Sequence, residues 1–198
     1  MILRLLALSI FLGACHAPVR SHIKNWDALT EDQRRERIVS DAYELGRHRR
    51  FRVNGRSFPY DCSGYVAALL YENGFNVFEG TRSMNVQGNG VKLIHDFARR
   101  QGALSTQEAS PGDIVFFSDT FDKNRDGKIN DPLTHIGIVT DLRRDGTIEF
   151  MHLIRGHVRR RLEARESSTT TYVDAIGRTP LPRRRSPLKP LRPSPAWS

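Results

Sequence analysis

The stretch Asp61-Cys62-Ser63-Gly64-Tyr65-Val66-Ala67-Ala68-Leu69-Leu70-Tyr71-Glu72-Asn73-Gly74 decides how this chain is read. Asp61 is a capping residue, Tyr65, Val66, Leu69 and Leu70 recur at helical spacing, and Gly74 is a stop. The pattern predicts a helix over about 62–73 with a cysteine at its N-terminus. There the positive end of the helix dipole and the orphan backbone N–H groups favour a thiolate, the form that attacks carbonyls. Ser63 and Gly64 are small enough for a substrate carbonyl to approach, and the Cys62 and Ser63 N–H groups can support an oxyanion. The competing reading is structural, since cysteine is often a small buried hydrophobe.

Working outward, residues 27–47 read as a helix. Thr30 is its cap, and Gln33 stands at capping-box distance behind Glu31 and Asp32. Leu29, Ile38, Ala42 and Leu45 share an apolar face. Residues 48–60 are basic and loop-like, with a short strand near Phe51 to Val53. A third helix is expected over Val91 to Gln101. The period then changes from helical to alternating. Pro111-Gly112 is a turn, and strands are expected over Asp113 to Phe117, His135 to Leu142, Thr147 to Ile154 and Gly156 to Leu162. Arg144-Asp145-Gly146 supplies a hairpin turn. Helices followed by an antiparallel sheet predict an α+β class.

Two histidines can serve the thiol. His135 opens a strand whose Ile136 and Ile138 suit the core, so His135 falls on the opposite face with Gly137 leaving space beside it. A strand histidine by itself is more often structural. The hairpin makes the next strand a neighbour, and His152 on that strand can meet His135 on one sheet face. His157 competes for this third position, whereas His48 and His95 read as surface residues.

The ends of the chain carry separate signals. Residues 1–14 read as an export signal, with Arg4 before an apolar run too short to span a bilayer. Leu12-Gly13-Ala14-Cys15 resembles a lipobox, which predicts acylation of Cys15, a tether over 15–26 and an exported lipoprotein of the cell envelope. An ordinary secretory signal is the alternative. With Cys15 lipidated, Cys62 is the remaining thiol and has no intramolecular disulfide partner. The formal charge of +9 is concentrated at the far end. Residues 180–198 hold five basic residues, no acid and six of the ten prolines, and residues 15–179 carry only +3. Residues 179–198 therefore read as a disordered basic tail beyond a domain over 27–178. No aromatic residue interleaves with its arginines, so it does not suggest a nucleic-acid site.

Taken together, Asp61-Cys62-Ser63-Gly64, Pro111-Gly112-Asp113-Ile114-Val115-Phe116-Phe117, His135-Ile136-Gly137-Ile138-Val139 and His152 resemble the NlpC-type (NlpC/P60 superfamily) cell-wall cysteine peptidases over about residues 35–165. The resemblance implies a papain-like fold and cleavage of amides in peptidoglycan stem peptides, often next to D-glutamate and diaminopimelate, with no cofactor required. It implies Cys62 as nucleophile, His135 as general base and His152 as the orienting residue, with Asp61, Ser63 and Tyr60 around the pocket. Two features depart from the family. A Gly-Gly segment common before the cysteine is replaced by Asn54-Gly55-Arg56-Ser57-Phe58-Pro59-Tyr60, and an acidic insertion precedes His135.

That insertion matches the first half of a calcium loop. Asp122, Asn124 and Asp126 stand at the oxygen positions, Gly127 at the turn, Lys128 at the carbonyl position, and Asp131 near where Leu133 replaces the usual bidentate acid. A weak structural calcium ion is one expectation, and a polar turn is the other. Rival functions are an N-acyl amidase or acyltransferase on the same scaffold, or a non-catalytic calcium-binding cell-wall adaptor.

Overall fold

The computed structural model describes residues 26–77, 90–105, 109–163 and 170–173. The leader, Cys15 and the basic tail lie outside them. After a 3₁₀ turn at Trp26–Ala28 comes α1 (Glu31–Gly46). The Thr30 hydroxyl accepts from the Gln33 N–H and the Gln33 side chain accepts from the Thr30 N–H, which is the expected capping box. Ile38 and Ala42 are buried, with Leu29 and Leu45 packed beside them.

The basic stretch holds the expected short strand, β1 (Phe51–Val53), which pairs in a hairpin with β2 (Arg56–Phe58), a segment that read as loop. Asn54 and Gly55 both take positive φ, 48° and 80°, which suits a two-residue turn. Only three residues on each side flank this turn, too few for an alternating pattern to stand out. The hairpin leads into α2 (Cys62–Glu72), and α3 follows as Gly90–Arg100 with Val91, Ile94 and Ala98 buried.

The remaining strands are β3 (Leu104–Ser105), β4 (Ile114–Phe117), β5 (His135–Leu142), β6 (Ile148–Ile154), β7 (His157–Glu163) and β8 (Thr170–Val173). Among the described residues they form one antiparallel sheet in the order β3-β8-β4-β5-β6-β7. The short β3 and late β8 went unread in the sequence. The chain returns after β7 to insert β8 between β3 and β4, a pairing set by long-range register rather than local pattern.

The pleat sorts side chains onto two faces. Ile114, Phe116, Ile136, Ile138, Met151 and Leu153 join the core that also holds Tyr65, Val66, Leu69 and Ile94 from the helices. Val115, Phe117, Val139, Ile148 and Phe150 form a second cluster. Helices covering one face of an antiparallel sheet give the α+β architecture. Two buried polar links hold the layers together. The Tyr65 hydroxyl donates to the Ala42 carbonyl at 2.7 Å, joining α2 to α1. Arg35 of α1 donates through one nitrogen to the Pro111 carbonyl at 2.7 Å and to Asp113 at 2.8 Å, tying α1 to the turn before β4. Gly112 in that turn has φ 88°, a conformation that favours glycine.

Candidate active site

Cys62 is the first residue of α2 and is half-buried against the main core. Asp61 caps the helix. Its Oδ1 accepts from the Gly64 N–H and from the Ser63 hydroxyl, both at 2.7 Å. The small residues of this segment are needed for close approach. A β-carbon on Gly64 would land on the Pro59 carbonyl, and one on Gly90 at the head of α3 would land on the Ser63 hydroxyl. The start of α2 is thus wedged between the incoming loop and α3. Its thiol lies against the amides of Ser63 and of Ile136, the residue that follows His135.

His135 and His152 are buried, and their rings meet on one sheet face. His135 Nε2 lies 2.7 Å from His152 Nδ1, and the rings cross at 81°. The hairpin expected from sequence brings them there. The Arg143 N–H donates to the Thr147 carbonyl, the Gly146 N–H to the Arg143 carbonyl, and Gly146 takes φ 84°. Gly137 matters as much as the turn. A β-carbon there would approach Phe150 to 2.8 Å, the Met151 carbonyl to 2.9 Å and the His152 β-carbon to 3.4 Å. Phe117 and Phe150 pack beside the two imidazoles, with ring centroids 6.2 Å from His135 and 5.0 Å from His152.

The electrostatics correct one expectation. The helix start was expected to favour a thiolate, yet burial pushes the Cys62 thiol up to about 11, and the Asp61 carboxylate adds to the rise. The Ser63, Ile136 and Cys62 amides pull the other way without reversing it. Burial also lowers His135 to about 4 and His152 to about 3. Arg161 disfavours a proton on both rings, and His135 and Arg159 do so on His152. The resting groups at neutral pH are therefore a thiol and two neutral imidazoles. Desolvation of a charge outweighs a helix dipole when the group is this enclosed.

The arginines of β7 were missed in the sequence. Arg159 lies directly opposite His152 in the β6–β7 ladder and Arg161 opposite Phe150, so both share the histidine face. The usable signal was the period-two parity of the run from His157 to Arg161.

The other expected residues are spread around this centre. Tyr60 packs its ring on Phe51 at 4.9 Å and donates its hydroxyl to the Gly156 carbonyl at 3.3 Å, bridging the loop before Cys62 to the β6–β7 turn. His157 is exposed on β7 opposite Ile154, and His48 is exposed. His95 is not a surface residue as expected, because its ring stands edge-on to the buried Phe116 at 5.3 Å.

The insertion is ordered by its own amides. Asp122 accepts from the Arg125, Asp126 and Gly127 N–H groups, Asn124 from the Asp126 N–H, and Asp126 from the Lys128 N–H. Asp131 is buried and accepts from the Lys123 and Asn124 N–H groups. This is the polar-turn pattern of carboxylates folded onto nearby backbone. Among the described residues, no group of three or more histidine, cysteine, aspartate or glutamate side chains gathers as a metal site.

A family model for the CHAP domain matches residues 53–152, a span that contains the cysteine helix and ends on His152. No curated protein and no solved structure matches the chain.

Proposed function

The chain belongs to the CHAP-domain family, within the NlpC/P60-like group of papain-like cysteine peptidases and amidases that typically hydrolyse peptidoglycan, and on that premise we propose that it is a cysteine endopeptidase cutting an amide in cell-wall stem peptides. The observation that carries this reading is the pairing of His135 Nε2 with His152 Nδ1 at 2.7 Å beside a thiol seated at a helix start and against the Ile136 amide.

In this mechanism His135 presents Nδ1 to the thiol, because Nε2 is engaged by His152. The Cys62 sulfur attacks the scissile carbonyl as its proton passes to His135. The tetrahedral oxyanion is met by backbone N–H groups at the head of α2. His135 returns the proton to the leaving amine, leaving a thioester on Cys62. Water, deprotonated by His135, then releases the acyl group as a carboxylate and restores the thiol. His152 holds the imidazole in one tautomer and orientation. With a neutral thiol at rest, proton transfer accompanies attack rather than preceding it.

Replacement Cys62→Ser should abolish release of stem fragments from purified sacculi, followed by mass spectrometry of the soluble products. Undiminished release would overturn the mechanism. Product masses also identify the bond, since an amidase would free whole stems from the sugar.

A further inference from the structure

A cavity of about 400 Å³ is lined by Lys92, Lys123, Asn124, Asp131, Pro132 and Leu133. Its size falls within the range of small-molecule and peptide side-chain sites. Two of its lining residues are close along the chain to residues at the active centre. Lys92 is two residues into α3, whose first residue Gly90 abuts Ser63. Leu133 is two residues before His135 and packs against the core that also receives Cys62. Lys123, Asn124 and Asp131 belong to the insertion, where the Asp131 carboxylate accepts from the Lys123 and Asn124 N–H groups.

The charges in the cavity are uneven. Lys92 pairs with Asp96, which it shares with Arg99 at 3.2 Å. The Asp131 carboxylate is engaged by the two loop amides. The Lys123 ammonium has no hydrogen bond or ion pair among the described residues. A cavity lined by a lysine side chain together with Pro132 and Leu133 is suited to a group with one anionic end and a short apolar stem.

We propose that this cavity is a substrate subsite for a carboxylate-bearing residue of the stem peptide, with Lys123 as the specificity-determining contact and Lys92 in support. The inference rests on the stem-peptide reading and assigns the insertion before His135 the role of building one wall of the substrate cleft. Stem peptides carry free carboxylates that some cell walls mask as amides, so the subsite would separate these two chemistries.

The test is a calorimetric titration of the full chain carrying Cys62→Ala, so that binding is read without turnover. The probes are a tetrapeptide stem with free carboxylates and its fully amidated counterpart. The free acid should bind about tenfold more tightly, the scale of one charge-assisted hydrogen bond. Adding Lys123→Glu should erase that preference, and Lys123→Arg should retain it. Equal affinity for the two probes, no binding of either, or a preference that survives Lys123→Glu would each overturn the subsite. Digestion of sacculi by the unaltered chain separately judges the stem-peptide reading.

Discussion

Cys62 and the His135–His152 pair are held by different means. The cysteine depends on local signals, namely a capping aspartate, a helix of apolar spacing and a glycine three residues after the cap. The histidines lie 17 residues apart and depend on strand register, a hairpin turn and a glycine in the neighbouring strand. One half of the centre is thus built by a helix terminus and the other by a sheet. What they share is a glycine at the point of closest approach, Gly64 against the Pro59 carbonyl and Gly137 against the β6 backbone. The centre tolerates no added β-carbon at either position without movement, because each would meet backbone rather than a flexible side-chain end.

The largest expected effect comes from removing the proposed base. His135→Ala should lower kcat/KM by about 10³, within the usual range for general acid–base catalysis. A loss under about tenfold, measured on soluble muropeptides, would detach the sheet half from the chemistry. Next come the two close approaches. Gly64→Ala and Gly137→Ala should each destabilise the fold by about 2 kcal/mol through overpacking. They should also cut activity by displacing one half from the other. Denaturant unfolding combined with kinetics reads both, and full activity in either variant would mean that the spacing is less demanding than the geometry requires.

A smaller change sharpens the helix half. Asp61→Ala should cost about 1 kcal/mol of stability through the lost cap. Asp61→Asn keeps an acceptor for the Gly64 N–H but removes the charge that raises the thiol. The pH profile of Cys62 alkylation should then shift down from about 11. An unmoved or upward-shifted profile would remove Asp61 from the account of the thiol.

The smallest effect is spread over pH. His135 and His152 have folded values of about 4 and about 3, below their ordinary 6.5, so the unfolded chain binds more protons than the folded one between these limits. Their contribution to stability is present above about pH 6.5 and is lost as pH falls through about 4 toward 3. For Cys62 the sign is reversed. Its value is raised from 9.0 to about 11, so its contribution is present below pH 9.0 and lost as pH climbs through about 11. Thermal midpoints of the unaltered chain should therefore fall more steeply below pH 6.5 than those of a His135→Gln, His152→Gln double variant. Parallel curves would break this account of the buried pair.

Much of this was legible in the sequence because it is local. Thr30 with Gln33, Asp61 with Gly64, and the Arg143 to Gly146 turn are read within five residues, and each forms as expected. The parity of Ile136 and Ile138 placed His135 on the other face, and the β5–β6 hairpin makes His152 its neighbour. The β1–β2 hairpin and the β3 and β8 strands were not legible as such. Each is only two to four residues long, and β8 reaches its place by pairing with β4 across more than fifty residues of chain.

The sequence by itself determined the helices, the turns, the alternation of the main strands and the three residues proposed to carry the chemistry. These follow from backbone capping, φ restrictions and side-chain periodicity, all of which act over a few residues. Only the tertiary structure decided the burial that raises the Cys62 thiol, the presence of Arg159 and Arg161 on the histidine face, and the cavity that residues of the insertion line. Desolvation, cross-strand pairing and cavity shape depend on what distant segments bring to one place, and no local pattern encodes them.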